Sequence, residues 1–169
     1  MEQISSLLNR PEYIHVALNH FPLIGLLVAL LALAIGLITR NRPILFTGLG
    51  LVFVMALSFW PVSYFGGAGF DRVLSMADEP GGAFLKYHAH LADRWAFVYY
   101  LTAGVAALGF GLSWKWHRLL IPAVIVVLVL GIASLSAGIV IAKAGGEVRH
   151  REFRSGPPPQ VPDEHGDSH

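Results

Sequence analysis

IHVALNHFPLIGLLVALLALAIGLI, Ile14–Ile38, is the stretch whose reading decides the fold. From Phe21 to Ile38 no charged or hydrogen-bonding side chain interrupts it. A bilayer core about 30 Å thick is crossed by about 20 helical residues, so the stretch has the length and character of a membrane span. In lipid every backbone N–H and C=O must be satisfied within the segment, which predicts a helix; transmembrane strands would show short alternating stretches instead. The run is too long for the apolar core of a signal peptide and no small-residue cleavage site follows it, so it is expected to stay in the mature chain.

Working outward, three more blocks repeat the pattern: Ile44–Phe65, Trp95–Trp114 and Leu119–Ala142. The composition agrees. The 169 residues are 54% hydrophobic and only 14% charged, whereas an ordinary soluble domain carries about a quarter charged residues. Mean hydropathy is +0.58. Tyrosines and tryptophans gather near the span ends (Tyr13, Trp60, Trp95, Tyr99, Tyr100, Trp114, Trp116), as an interfacial aromatic belt requires. The expected fold is an all-α integral membrane four-helix bundle surrounded by lipid.

Connections set the expected topology. Spans one and two are joined through Arg40-Asn41-Arg42, and spans three and four through Lys115-Trp116-His117-Arg118. Links this short predict two antiparallel hairpins with both tight turns on one side, side B, and both termini on the other, side A. Every acidic residue lies on side A, while side B holds four basic residues and no acid. Charge close to the spans weighs most in orientation, so side B is expected in the cytoplasm. The termini would then be periplasmic or extracellular, in a multi-pass protein of a bacterial inner membrane. Residues 1–154 read as the membrane domain and 155–169 as a disordered, proline-rich tail. Residues 66–90 read as an interfacial loop between two glycine-rich marks, Gly66-Gly67-Ala68-Gly69 and Pro80-Gly81-Gly82. Phe70, Val73, Leu74 and Ala77 within it recur at helical spacing and predict a short helix. Gly131, Ser134 and Gly138 on span four, and Gly104, Gly109 and Gly111 on span three, are small enough for close helix approach.

The composition excludes several functions. With no cysteine there is no disulfide, no thiolate metal site and no covalent haem attachment. A net charge of +1 gives no nucleic-acid footprint. Hydrolase and phosphate-loop motifs are missing, and no acidic residue sits mid-span to carry protons or ions, which disfavours a transporter. No residue is expected to be catalytic in its own right.

Histidine alone is unusually distributed. Of eight, seven fall on side A (His15, His20, His88, His90, His150, His165, His169) and only His117 on side B. His165 and His169 sit in the acidic tail. His15 and His20, five apart, differ by about 140° around a straight helix; Pro22 supplies a distortion, having no N–H for the Leu18 carbonyl. His15, Asn19 and Pro22 share one face, and His20 lies deeper. His88 and His90 point in opposite directions on a helix, so only one can face the bundle. His150 follows span four. Imidazoles from facing helices build cofactor sites in bundles. Two on opposite helices suit haem b, and three converging suit copper or zinc. His20, the deepest, and His90 are the expected axial pair, with His150 as a third candidate or a group supporting the ligands and His15 and His88 as further candidates. The metal alternative uses His20, His90 and His150. Arg94, Arg149 and Arg151 are candidates to pair with haem propionates.

Three elements together resemble the membrane-protein family catalogued as domain of unknown function 2231 (DUF2231). They are His15-x4-His20-Phe21-Pro22-Leu23, the glycine-containing loop with a histidine before span three, and Gly145-Gly146-x-Val148-Arg149-His150-x-Glu152. The resemblance covers nearly the whole chain up to Arg154. It implies a four-helix membrane protein of a kind sometimes joined to Rieske-type or c-type cytochrome modules, and so respiratory electron transfer. The leading expectation is a small b-type cytochrome or cytochrome-like subunit between the quinone pool and a periplasmic redox partner. The alternative is a non-catalytic subunit or anchor of a larger complex or homo-oligomer, whose side-A histidines bind copper or zinc or are structural.

Overall fold

The computed structural model describes residues 9–161. His165 and His169 lie outside them. Four long helices form an all-α bundle, and no strand occurs among the described residues. The first is α1 (Pro11–Leu18), a π turn (Phe21–Gly25) and α2 (Leu26–Ile38). The second is α3 (Arg42–Leu57) continued by α4 (Phe59–Met76). The third is α5 (Glu79–Lys115), and the fourth, after a 3-10 turn at His117–Leu119, is α6 (Leu120–Arg149). All four are long and apolar enough to cross a membrane.

Their outer surface is as apolar as their interior. Leu26, Leu33, Leu49, Val52, Ala106, Val124 and Val127 are fully buried, while Val28, Ile35, Val54, Leu108, Val129 and Ile132 are each about half exposed or more. A soluble bundle would place polar residues on that second face. Here it is a surface for lipid.

Contacts between the helices run antiparallel. Toward the B end Gly36 lies against Ile44 and Leu45, further along Gly48 lies against Leu33, and at the A end Gly69 lies against Glu12. In the second pair Gly109 faces Ala123 near the B end, and Gly138 leaves room for the Tyr99 hydroxyl further up. Midway, Thr102 Oγ1 donates to the Val98 carbonyl at 2.8 Å and accepts a 2.8 Å hydrogen bond from Ser134 Oγ. Buried hydroxyls of this kind join helices where no hydrophobic force can. Gly131, Ser134, Gly138 and Gly109 thus line helix contacts as expected, whereas Gly104 and Gly111 face away from the bundle.

The B-end turn is made by Arg40, which takes a left-handed conformation (φ 53°). Asn41 N–H donates to the Gly36 carbonyl, and the Asn41 side chain caps α3 by accepting from Ile44 N–H. Phe46, Phe110 and Trp114 cluster at this end.

The A end differs from the loop read for 66–90. The second helix runs on through Gly66-Gly67-Ala68-Gly69 to Met76, and α5 begins at Glu79, so only Ala77 and Asp78 separate them. The glycines do not break the helix because they are contact points, with Gly66 against the His15 ring and Gly69 against the Glu12 backbone. Pro80 and Gly81 occupy the first turn of α5, where a proline is tolerated, and Asp78 caps that turn by accepting from Gly81 N–H. Phe70, Val73 and Leu74, read at helical spacing, do lie on one helix and pack on Phe84, Leu85 and Val148.

Candidate functional site

At the A end two histidines meet across the bundle. The rings of His15, on α1, and His88, on α5, are edge to face with centroids 6.2 Å apart and planes at 85°. Each ring is tied to the next helix by the same device. His15 Nδ1 lies 2.8 Å from the Val62 carbonyl, with the ring resting on Gly66 one turn later. His88 Nδ1 lies 2.9 Å from the Ile141 carbonyl, with the ring resting on Gly145 one turn later. In both cases a Cβ on the glycine would enter the space the imidazole occupies.

A carbonyl oxygen can only accept, so Nδ1 carries the proton in both rings. In the neutral imidazole Nε2 then holds the lone pair. An N–H anchored on a backbone carbonyl is the usual outer-shell arrangement of a histidine that ligates metal, because it sets tautomer and ring direction together. Helical rise puts His88 about 40 Å from Lys115 at the B end, so the pair stands at the membrane's A-side interface.

Local sequence explains which histidines meet. Glu12, His15, Leu18 and Pro22 form a stripe at helical spacing, and none of the four is exposed. The π turn begins directly after His20, where Pro22 cannot donate to the helix. His20 is off this stripe and exposed. On α5, His88 continues the buried series Gly81, Phe84, Leu85 and Leu91, while His90 is rotated away and half-buried. His150 ends α6 and is exposed, where its Nδ1 lies 3.0 Å from Glu152 Oε1. The Glu152 carboxyl is held below its ordinary range by its own backbone N–H and then by His150.

The structure therefore brings together His15 and His88 rather than His20 and His90. Among the described residues no three histidine or carboxylate side chains converge as a metal site, so the set His20, His90 and His150 is not assembled. Arg94, Arg149 and Arg151 are all exposed. Arg151 pairs with Asp78 at 3.0 Å.

Sequence reasoning missed Arg154. Its guanidinium forms two 3.0 Å bonds with the Asp78 carboxylate, and also donates to the carbonyls of Glu147 and Val148. It lies 5.7 Å from the Phe84 ring centre. One side chain thus ties the end of α6 to the cap of α5. The Arg154 hydrogen bonds hold the Asp78 carboxyl down at about 2, aided by Gly81 N–H and the nearby arginine charges, against a smaller opposing effect of burial. The first hairpin has a simpler tie, Arg72 to Glu12 at 3.0 Å, with the other Glu12 oxygen buried and without a hydrogen-bond partner.

No protein-family model matches the chain, and no curated protein or solved structure is significantly similar to it.

Proposed function

We propose that this multi-pass membrane protein is a small electron-transfer protein of the b-type cytochrome kind. His15 and His88 would hold haem iron at the A-side interface. The observation that carries the reading is the pair itself: two facing imidazoles from different hairpins, each with Nδ1–H anchored on a carbonyl. The donor set fits haem b, which needs two imidazole nitrogens and no cysteine. Haem bound in this way supplies a one-electron iron couple. The chain's own contribution is orientation and exclusion of water. Val62 and Ile141 fix the ring tautomers, Gly66 and Gly145 admit the rings, and the apolar helices below keep the interior dry. Lipid-soluble quinol on one side and a water-soluble redox protein on the other are the partners such a position suits. The resemblance to the domain of unknown function 2231 supports the same reading.

The test is an absorbance spectrum of the detergent-purified protein, before and after dithionite. The expected result is a Soret and α band that sharpen on reduction in the wild type and in His20→Ala and His90→Ala. They should be lost in His15→Ala and His88→Ala. A colourless protein from a haem-replete host overturns the reading, and so does an unchanged spectrum in both of the last two variants.

The pair also supports a second reading. Two imidazoles, with no third ligand among the described residues, form a donor set for a single copper ion in a non-catalytic subunit. Metal analysis of the same samples separates the two, since copper in a colourless protein, lost in His88→Ala, selects the second.

A further inference from the structure

Beside His88 the second hairpin contains a cavity of about 220 Å3. Phe84 and Tyr87 of α5 and Ala144 and Glu147 of α6 form its walls, and Pro157 and Pro159 close it from the tail. The tail is held there by Arg154, whose guanidinium bonds Asp78 and the last carbonyls of α6. This is smaller than the roughly 300–1,000 Å3 of drug-sized sites and accommodates one substituted ring.

The polar lining specifies the head of a ligand. Glu147 is only 6% exposed. Its carboxylate is paired with Lys143 at 3.9 Å, longer than a hydrogen bond, and lies in the field of the Arg154 guanidinium. A carboxylate only accepts, so the cavity presents a hydrogen-bond acceptor here. An ammonium donor is opposed by Lys143 and by the Arg154 guanidinium on the Phe84 ring. A neutral hydroxyl is not. Flat apolar groups on both sides, two aromatic rings and two prolines, suit an aromatic body. Val140, in the lining, is 48% exposed, so the cavity opens past an apolar side chain.

We propose that this cavity binds the ring of a membrane-soluble hydroquinone, with the Glu147 carboxylate accepting a hydrogen bond from one hydroxyl. The identity of the ligand class rests on the electron-transfer reading above and deepens it. Tyr87 adjoins His88 in sequence, and Ala144 adjoins Gly145, on which the His88 ring rests. The bound ring would thus lie next to the histidine site.

Anaerobic calorimetric titration of the full-length protein in detergent tests this, with tetramethylhydroquinone and its dimethyl ether as probes. The hydroquinone should bind one to one and the ether should not. Glu147→Leu, which replaces the buried carboxylate by an apolar group of similar size, should weaken binding by about tenfold or more, as for loss of a charge-assisted hydrogen bond. Val140→Trp, at an exposed position of the lining, should abolish binding without disturbing the core. Equal binding of the two probes overturns the proposal, as does full affinity in both variants or no binding to the wild type. Displacement of the hydroquinone by equimolar phosphatidylethanolamine also overturns it, in favour of a lipid headgroup. Haem absorbance is recorded on each sample. Hydroquinone binding without a haem band defeats the electron-transfer reading alone, and a haem band without binding defeats this inference alone.

Discussion

In the first hairpin the histidine stands on α1, an eight-residue helix set off from its span by a π turn. In the second it stands within an unbroken helix of 37 residues. The local device is the same on both, with imidazole on glycine and Nδ1 on the carbonyl one turn before it. The support is not. His88 is backed within its own hairpin by the Thr102–Ser134 bond and by the Arg154 tie, while Tyr99 stacked 4.4 Å from Phe59 joins the two hairpins. His15 is backed by the Arg72–Glu12 pair alone among the described ion pairs and hydrogen bonds joining α1 to α4. The comparison teaches that one ring stands on an unbroken helix and the other just before a π turn at Pro22 within the 28-residue first helix.

The most severe way to break the likeness is Gly66→Ala. The new Cβ would fall 2.8 Å from His15 Nδ1, so the ring must move and its carbonyl bond is lost. Overpacking of this kind costs about 1–3 kcal/mol. The expected result is a lowered thermal midpoint together with altered occupancy of the histidine site, read by absorbance or metal content. The matching change in the second hairpin, Gly145→Ala, meets the His88 ring at 3.1 Å and should be milder on both readouts. If the two glycine variants behave alike, the hairpins are equivalent and the contrast drawn here is wrong.

The Arg154 tie sharpens the contrast through acid. Asp78 is depressed to about 2 from an ordinary 3.8. A carboxyl whose folded value is lowered stabilises the protein above its unfolded value and loses that contribution as pH falls through the folded one. Thermal midpoint should therefore drop between about pH 4 and pH 2, and Asp78→Asn should flatten that limb while lowering the midpoint at pH 7. An unchanged acid limb in Asp78→Asn would remove the tie from the account.

Smaller effects follow at mid-membrane and at the B end. Thr102→Val removes the hydroxyl that joins α5 to α6 and should cost about 0.6 kcal/mol, with an upper bound near 1.7 kcal/mol, in a detergent unfolding titration. Arg40 holds a left-handed conformation that glycine adopts freely. Arg40→Gly relieves about 1–2 kcal/mol of left-handed strain and costs about 0.4–1 kcal/mol in unfolded-chain entropy, so it should stabilise slightly. Destabilisation there would mean that the arginine head group makes a contact worth more than the backbone strain.

Much of this architecture was legible in the chain. Ile14–Ile38 and Leu119–Ala142 lie within the observed apolar helices Pro11–Ile38 and His117–Arg149. The A end was misread because Gly66-Gly67-Ala68-Gly69 and Pro80-Gly81-Gly82 are ordinary helix breakers, and nothing local announces that a ring or a backbone lies against them. Which histidines meet is only partly legible. All five membrane-side histidines stand out in the sequence, but depth along the chain points to His20, whereas the ring that meets His88 is His15. Once α5 is known to begin at Glu79, the spacing Phe84–His88–Leu91 assigns the inward histidine. That start was hidden by the presumed loop.

Hydropathy sums along a contiguous segment, and the bilayer reads that sum directly. The sequence by itself therefore determined that four helices form, how long their apolar parts are, and that no cysteine chemistry exists here. Which imidazole faces which depends on groups far apart in the chain, such as His88 and the Ile141 carbonyl, or Arg154 and Asp78. Those meetings arise only when helices pack and their phases are set against one another, so the tertiary structure alone decided them.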